Sequence, residues 1–126
     1  MKVASEHQPA VLLVEDEPIL RMLVGDFLAE LQITVIEAYD VDSAVAALER
    51  CPDIRILFTD IDMPGLLDGA DLALQAAERW PKLHLFLTTG KRMPALSRMP
   101  VGCEFIPKPY DLDKLGERLR AILENE

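Results

Sequence analysis

Apolar residues along this chain fall into two alternating rhythms. Short, nearly continuous apolar runs at Ala10 to Val14, Thr34 to Ala38, Ile54 to Asp60, "LHLFLTTG" and "EFIP" have the length and residue types of buried strands. Between them, apolar positions recur every three or four residues. Pro18 to Leu31 carries Ile19, Leu20, Leu23, Phe27, Leu28 and Leu31, and Pro18 suits a first helical turn because its missing N–H is not needed there. "YDVDSAVAALER" predicts a second helix capped by Asp40. A third is expected from about Gly69 to Trp80, stopped by Pro81, and a last from Asp111 to about Asn125 with Leu112, Leu115, Leu119, Ile122 and Leu123 inward. Strand alternating with helix predicts an α/β architecture, a parallel sheet covered on both faces.

One segment interrupts that rhythm. A crossover helix belongs at "KRMPALSRMPVGC", but Pro94 and Pro100 each remove a backbone donor and disfavour helix in the residue before. A shortened or irregular fourth helix is expected there. Residues 1–9 are expected to be a flexible tail and residues 10–126 a single domain.

Composition narrows the function classes. The net charge of −9, from 22 acidic and 13 basic residues, argues against nucleic acid and anionic membrane surfaces as partners. Cys51 and Cys103 form no metal or disulfide pattern and read as inert apolar residues. The polar start "MKVASEHQP" has no signal-peptide core and no run is long enough to span a bilayer, so a cytoplasmic protein is expected, with no room for a second output domain.

The candidate chemistry sits where the strands end. "LFTDIDMPG" places Asp60 at the carboxyl end of the third strand, the edge at which ligands bind in such sheets. An aspartate before Pro or Gly often only caps a turn. Here, however, Glu15 and Asp16 leave the first strand, Thr89 ends the fourth and Lys108 follows the fifth, so three carboxylates, a hydroxyl and an ammonium converge. Like charges ~4 Å apart repel by about 4 kcal/mol at an effective dielectric near 20, so the carboxylates call for a cation. Lys108 offsets one charge, and Mg²⁺ suits an oxygen-ligand site beside a phosphate. An Asp oxygen is a competent nucleophile toward phosphorus. Taken alone, Glu15 also fits a helix-start charge.

"LLVEDEP", "TDIDMPG", "LTTG" and "FIPKPYD", in that order on successive strand ends, resemble the receiver domain of bacterial two-component response regulators from about Ala10 to Leu123. The resemblance implies a doubly wound, five-stranded, flavodoxin-like sheet of order 2-1-3-4-5. It implies Asp60 as phosphoacceptor. Mg²⁺ would be held by Asp16 and Asp60 directly, by Glu15 through water and by the backbone carbonyl of Asp62. Thr89 and Lys108 would hold phosphoryl oxygens, Thr89 and Phe105 would form the switch, and the Lys108–Pro109 peptide would be cis. The donor would be a sensor histidine kinase or phosphotransfer protein, and the domain would modify only itself, signalling to an unknown downstream protein as a monomer or weak phosphorylation-dependent dimer.

Two departures from the family pattern stand out. "MPGLLDG" has one residue more than the usual turn, and the proline-broken segment replaces a regular helix. Asp62 and Lys91, each two residues beyond a site residue, are candidate tuners of phosphoryl lifetime through an exposed ion pair. Two rivals share the residue types. A haloacid-dehalogenase-like phosphatase would use "DID", although Pro64 sits where that motif wants Thr or Val and the acidic pair precedes the nucleophile. A phosphorylation-independent interaction module would keep only the fold. His7, His84, Trp80, Arg92 and Arg98 read as tail, strand-start, packing and surface residues.

Overall fold

The computed structural model describes residues 8–90 and 99–125. Its elements are β1 (Ala10–Val14), α1 (Pro18–Glu30), β2 (Thr34–Ala38), α2 (Val41–Arg50), β3 (Ile54–Asp60), α3 (Gly69–Arg79), β4 (His84–Thr89), β5 (Glu104–Pro107) and α4 (Leu112–Glu124). The strands form one parallel sheet of order β2-β1-β3-β4-β5, as the resemblance implies. Lys91 and most of the segment expected to form an irregular helix, Lys91 to Pro100, fall in residues 91–98, outside the described residues, as does most of the expected tail. Among the described residues, no helix is long and apolar enough to cross a membrane.

Alternation along the strands sorts the core into two layers. In β1, Ala10, Leu12 and Val14 face α2 and α3 through Ala44, Leu48, Leu72 and Ala76. Val11 and Leu13 face the other way, onto Val24 and Leu28 of α1 and Leu115 and Leu119 of α4. Because both faces are covered, β1 is buried along its whole length, which is why its sequence is an unbroken apolar run.

Local chemistry fixes the helix ends. Asp40 caps α2 by accepting the Ser43 N–H at 2.8 Å, and the Ser43 hydroxyl oxygen accepts the Asp40 N–H in return. Asp68 and Asp71 form the same reciprocal box at the start of α3. The additional residue of "MPGLLDG" is taken up in the β3–α3 loop, where Leu66 is fully exposed and Gly65 adopts φ +113°, so α3 still begins at Gly69. After α1 the chain turns through Gln32 at φ 68°, with Gln32 N–H bonded to Ala29 and Ile33 N–H to Leu28, a Schellman turn built without glycine.

Candidate functional site

Parallel pairing brings the strand ends to one edge. Val14 lies beside Thr59, Asp60 beside Thr88, and Thr89 beside Pro107. Glu15 is held as the sheet ends by its N–H on the Ala38 carbonyl, and Lys108 by its N–H on the Thr89 carbonyl. These backbone bonds aim side chains from four strands into one crevice.

Asp60 and Glu15 are buried, at 3% and 2% exposure, although both are carboxylates. Burial of such groups demands partners. The Lys108 ammonium supplies one, lying 3.2 Å from Asp60 Oδ2 and 3.2 Å from Glu15 Oε1. The other Asp60 oxygen accepts the Asp62 N–H at 3.1 Å, and Glu15 Oε2 accepts the Glu17 N–H at 3.2 Å. Glu15 therefore also ties down Glu17, the residue that precedes α1. Ligand oxygens of Glu15, Asp16 and Asp60 all lie within 4.8 Å of one another, a separation one small ion can bridge.

The electrostatics follow from burial and charge. Burial lifts the Glu15 carboxyl to a pKa of about 7, with the Asp60 charge pushing the same way and the Glu17 N–H and Lys108 pulling it down. Burial opposes the Lys108 charge, but Asp60 and Glu15 outweigh it and hold the ammonium above its ordinary pKa. One cation among three carboxylates leaves the crevice acidic.

Thr89 is buried beside this cluster, and its hydroxyl donates to the carboxylate of Asp62. Asp62 itself lines an open cleft of about 400 Å³ with Asp16, Ile61, Met63, Pro64 and Asp68. Phe105 is half-buried against Ile61, Ala70, Ala73 and Leu87. The Lys108–Pro109 peptide is cis. Lys91 lies outside the described residues, so the expected Asp62–Lys91 pair is not among the contacts above.

Other residues shape the crevice without having been singled out in the sequence. Tyr110 packs edge-on against Phe58 with ring centroids 5.7 Å apart, and burial, with a contribution from the Glu15 charge, pushes its hydroxyl up to about 12. Arg21 donates to the Glu15 carbonyl at 2.7 Å. Gly69 lies against the backbone of Asp60, and the Asp-Gly pair at the head of a helical pattern was the available signal for it. His84 is exposed at the opposite end of β4, and Trp80 packs against the core with the Arg79 guanidinium 4.4 Å from its ring. Cys103 is half-buried, and burial raises its thiol pKa, consistent with an unreactive side chain.

Comparison with known proteins agrees with this geometry. A family model described as the response regulator receiver domain matches residues 11–120. The transcriptional regulatory protein TcrA of Mycobacterium tuberculosis is 30% identical over 115 residues, covering 89% of this chain and 45% of that protein. The chain thus spans about half the length of that regulator. The receiver domain of NtrX from Brucella abortus superposes with a TM-score of 0.78 at 32% identity, over 92% of this chain and 99% of that one. A receiver domain protein from Clostridium thermocellum gives a TM-score of 0.82 at 21% identity, over 93% and 95%, which speaks to the fold. Neither the phosphatase nor the phosphate-independent module is favoured by these likenesses. With the family match extending over most of its length, the chain belongs to the response regulator receiver domains.

Proposed function

We propose that this domain accepts a phosphoryl group on Asp60 and passes the signal to a partner protein through a change in shape. The observation that carries the reading is a buried Asp60 carboxylate held between the Lys108 ammonium and the Asp62 N–H, with the Glu15 and Asp16 oxygens alongside. In the transfer, an Asp60 oxygen forms a bond to phosphorus as the bond from phosphorus to the donor's imidazole nitrogen breaks, and the imidazole leaves with that electron pair. Lys108, already placed on Asp60, neutralises charge on the transferred group. Thr89 would donate its hydroxyl to a phosphoryl oxygen, and Phe105 would follow it inward.

The donor set is all oxygen and suits Mg²⁺, which Asp16, Asp60, Glu15 and the Asp62 carbonyl would hold. When bound, the ion neutralises the charge that gathers on the phosphoryl oxygens. The phosphodonor would be a histidine on a sensor kinase or phosphotransfer protein. Support for a docking surface comes from Ile19, Met22 and Leu23, which are exposed on α1 beside an apolar groove of about 490 Å³ reaching Lys108 and Pro109.

The test is intact mass after incubation with Mg²⁺ and acetyl phosphate. One phosphoryl increment on the parent and none on Asp60→Asn is the expected result. An increment retained by Asp60→Asn would move the acceptor elsewhere, and none on either protein, with beryllofluoride also failing to bind, would remove the phosphoacceptor role.

A further inference from the structure

Asp62 touches the site in two ways. Its backbone N–H donates to Asp60 Oδ1 at 3.1 Å, and its carboxylate accepts the hydroxyl of Thr89 from the neighbouring strand. The contact joins residues 27 apart in sequence across the mouth of the crevice. A threonine hydroxyl has a single proton to donate. While Asp62 takes that proton, no phosphoryl oxygen can.

From this juxtaposition we propose that the Asp62 carboxylate is a latch on the Thr89 hydroxyl, holding the domain in its resting state until a phosphoryl group on Asp60 competes the hydroxyl away. The inference rests on Asp60 being the phosphoacceptor and adds a residue that opposes the switch. Two anions compete for one donor, so the exchange replaces one charge-assisted hydrogen bond by another. The balance is unfavourable to phosphorylation in one respect: after the exchange the Asp62 carboxylate, partly buried and close to a second negative group, has lost the Thr89 proton. The latch therefore raises the threshold for activation and favours return to rest once the phosphoryl group is gone. It differs from an Asp62–Lys91 screen against water, because it acts on the hydroxyl and on the equilibrium between states.

The latch makes Asp62 and Thr89 energetically coupled, and a double-mutant cycle reads that coupling. Mg²⁺-dependent beryllofluoride binding would be measured by calorimetry for the parent, Asp62→Ala, Thr89→Val and the double variant, with thermal unfolding confirming that each is folded. Asp62→Ala keeps the backbone N–H and carbonyl. It should tighten beryllofluoride binding about tenfold, the scale of one charged hydrogen bond. In the Thr89→Val background, the same change should have an effect of less than about threefold, since there is no hydroxyl to release. Urea unfolding of the same four proteins without Mg²⁺ should show Asp62 and Thr89 coupled in the resting state.

Unchanged affinity in Asp62→Ala would overturn the latch. So would an equal gain with and without the Thr89 hydroxyl, which would mean simple relief of negative charge. Failure of the parent itself to bind beryllofluoride would instead remove the phosphoacceptor reading, and the latch with it. Asp62→Asn provides a graded check, because its side-chain carbonyl still accepts the hydroxyl without charge and should give an intermediate affinity.

Discussion

Gly69 lies so close to Asp60 that a Cβ on it would stand 2.0 Å from the Asp60 carbonyl oxygen. The obstruction is backbone, so no side chain can swing away to relieve it. The first turn of α3 is thereby pressed onto the end of β3, and the Gly69 N–H bonds the Ile61 carbonyl at 3.0 Å. This contact fixes the backbone from which the Asp60 side chain leaves. Gly69→Ala must push α3 off the strand, at a cost of about 1–3 kcal/mol for overpacking. Urea denaturation should show that loss, and beryllofluoride affinity should fall with it because the acceptor moves. An alanine variant of parental stability would show that α3 shifts freely.

Much of this arrangement was legible in the sequence, and the exceptions share a physical cause. Strands and helices could be placed because Leu12, Leu28 and Leu119 answer to periods that burial imposes. Asp60, Glu15, Asp16 and Lys108 could be grouped because strand ends in a parallel sheet are forced to one edge. The Thr89 hydroxyl on Asp62 was not legible, since it depends on which way two side chains turn, not on spacing. Nor was Tyr110 as a wall of the crevice, because an aromatic after "PKP" has no periodic partner. The longer "MPGLLDG" turn left α3 beginning at Gly69 because the Asp68–Asp71 box fixes that helix start while the exposed loop absorbs length.

Lys108 faces two buried carboxylates, and its removal should have opposite effects on two ligands. Lys108→Met leaves Asp60 and Glu15 facing each other without their cation, so the metal-free protein should melt at a lower temperature. Mg²⁺ then has more repulsion to relieve, and saturating Mg²⁺ should raise the melting temperature by more than it does in the parent. Beryllofluoride binding should weaken at least tenfold, because a donor to the phosphoryl analogue is gone. Parallel loss of both ligands would indicate that Lys108 acts by holding the loop and not by its charge.

Asp40 contributes an acid-dependent part of α2's stability. The Ser43 N–H, with the Ser43 hydroxyl, holds its carboxyl below the ordinary value of 3.8. A depressed carboxylate stabilises the fold fully above its unfolded pKa and loses that contribution as pH falls through the folded one. Asp40→Ala should therefore cost about 1 kcal/mol at pH 7, and the cost should shrink as pH drops below 3.8. Asp40→Asn retains a capping oxygen and should keep most of the neutral-pH stability with no such acid loss. Urea midpoints for the three proteins from pH 7 to pH 3 check both statements.

Gln32 holds a left-handed conformation, φ 68°, at the turn out of α1. Its Cβ crowds the backbone there, a strain glycine does not have. The turn's two hydrogen bonds, Gln32 N–H to Ala29 and Ile33 N–H to Leu28, are made by the main chain and do not need the glutamine side chain. Gln32→Gly should therefore stabilise the domain, by roughly 0.5–1 kcal/mol once the greater freedom of glycine in the unfolded chain is set against the relieved strain. The turn lies at the amino end of the sheet, next to Ile33 and Thr34, away from Asp60. Thermal unfolding should move upward while beryllofluoride affinity stays at the parental value. A lower melting temperature would mean that the Gln32 side chain makes contacts worth more than the strain it imposes.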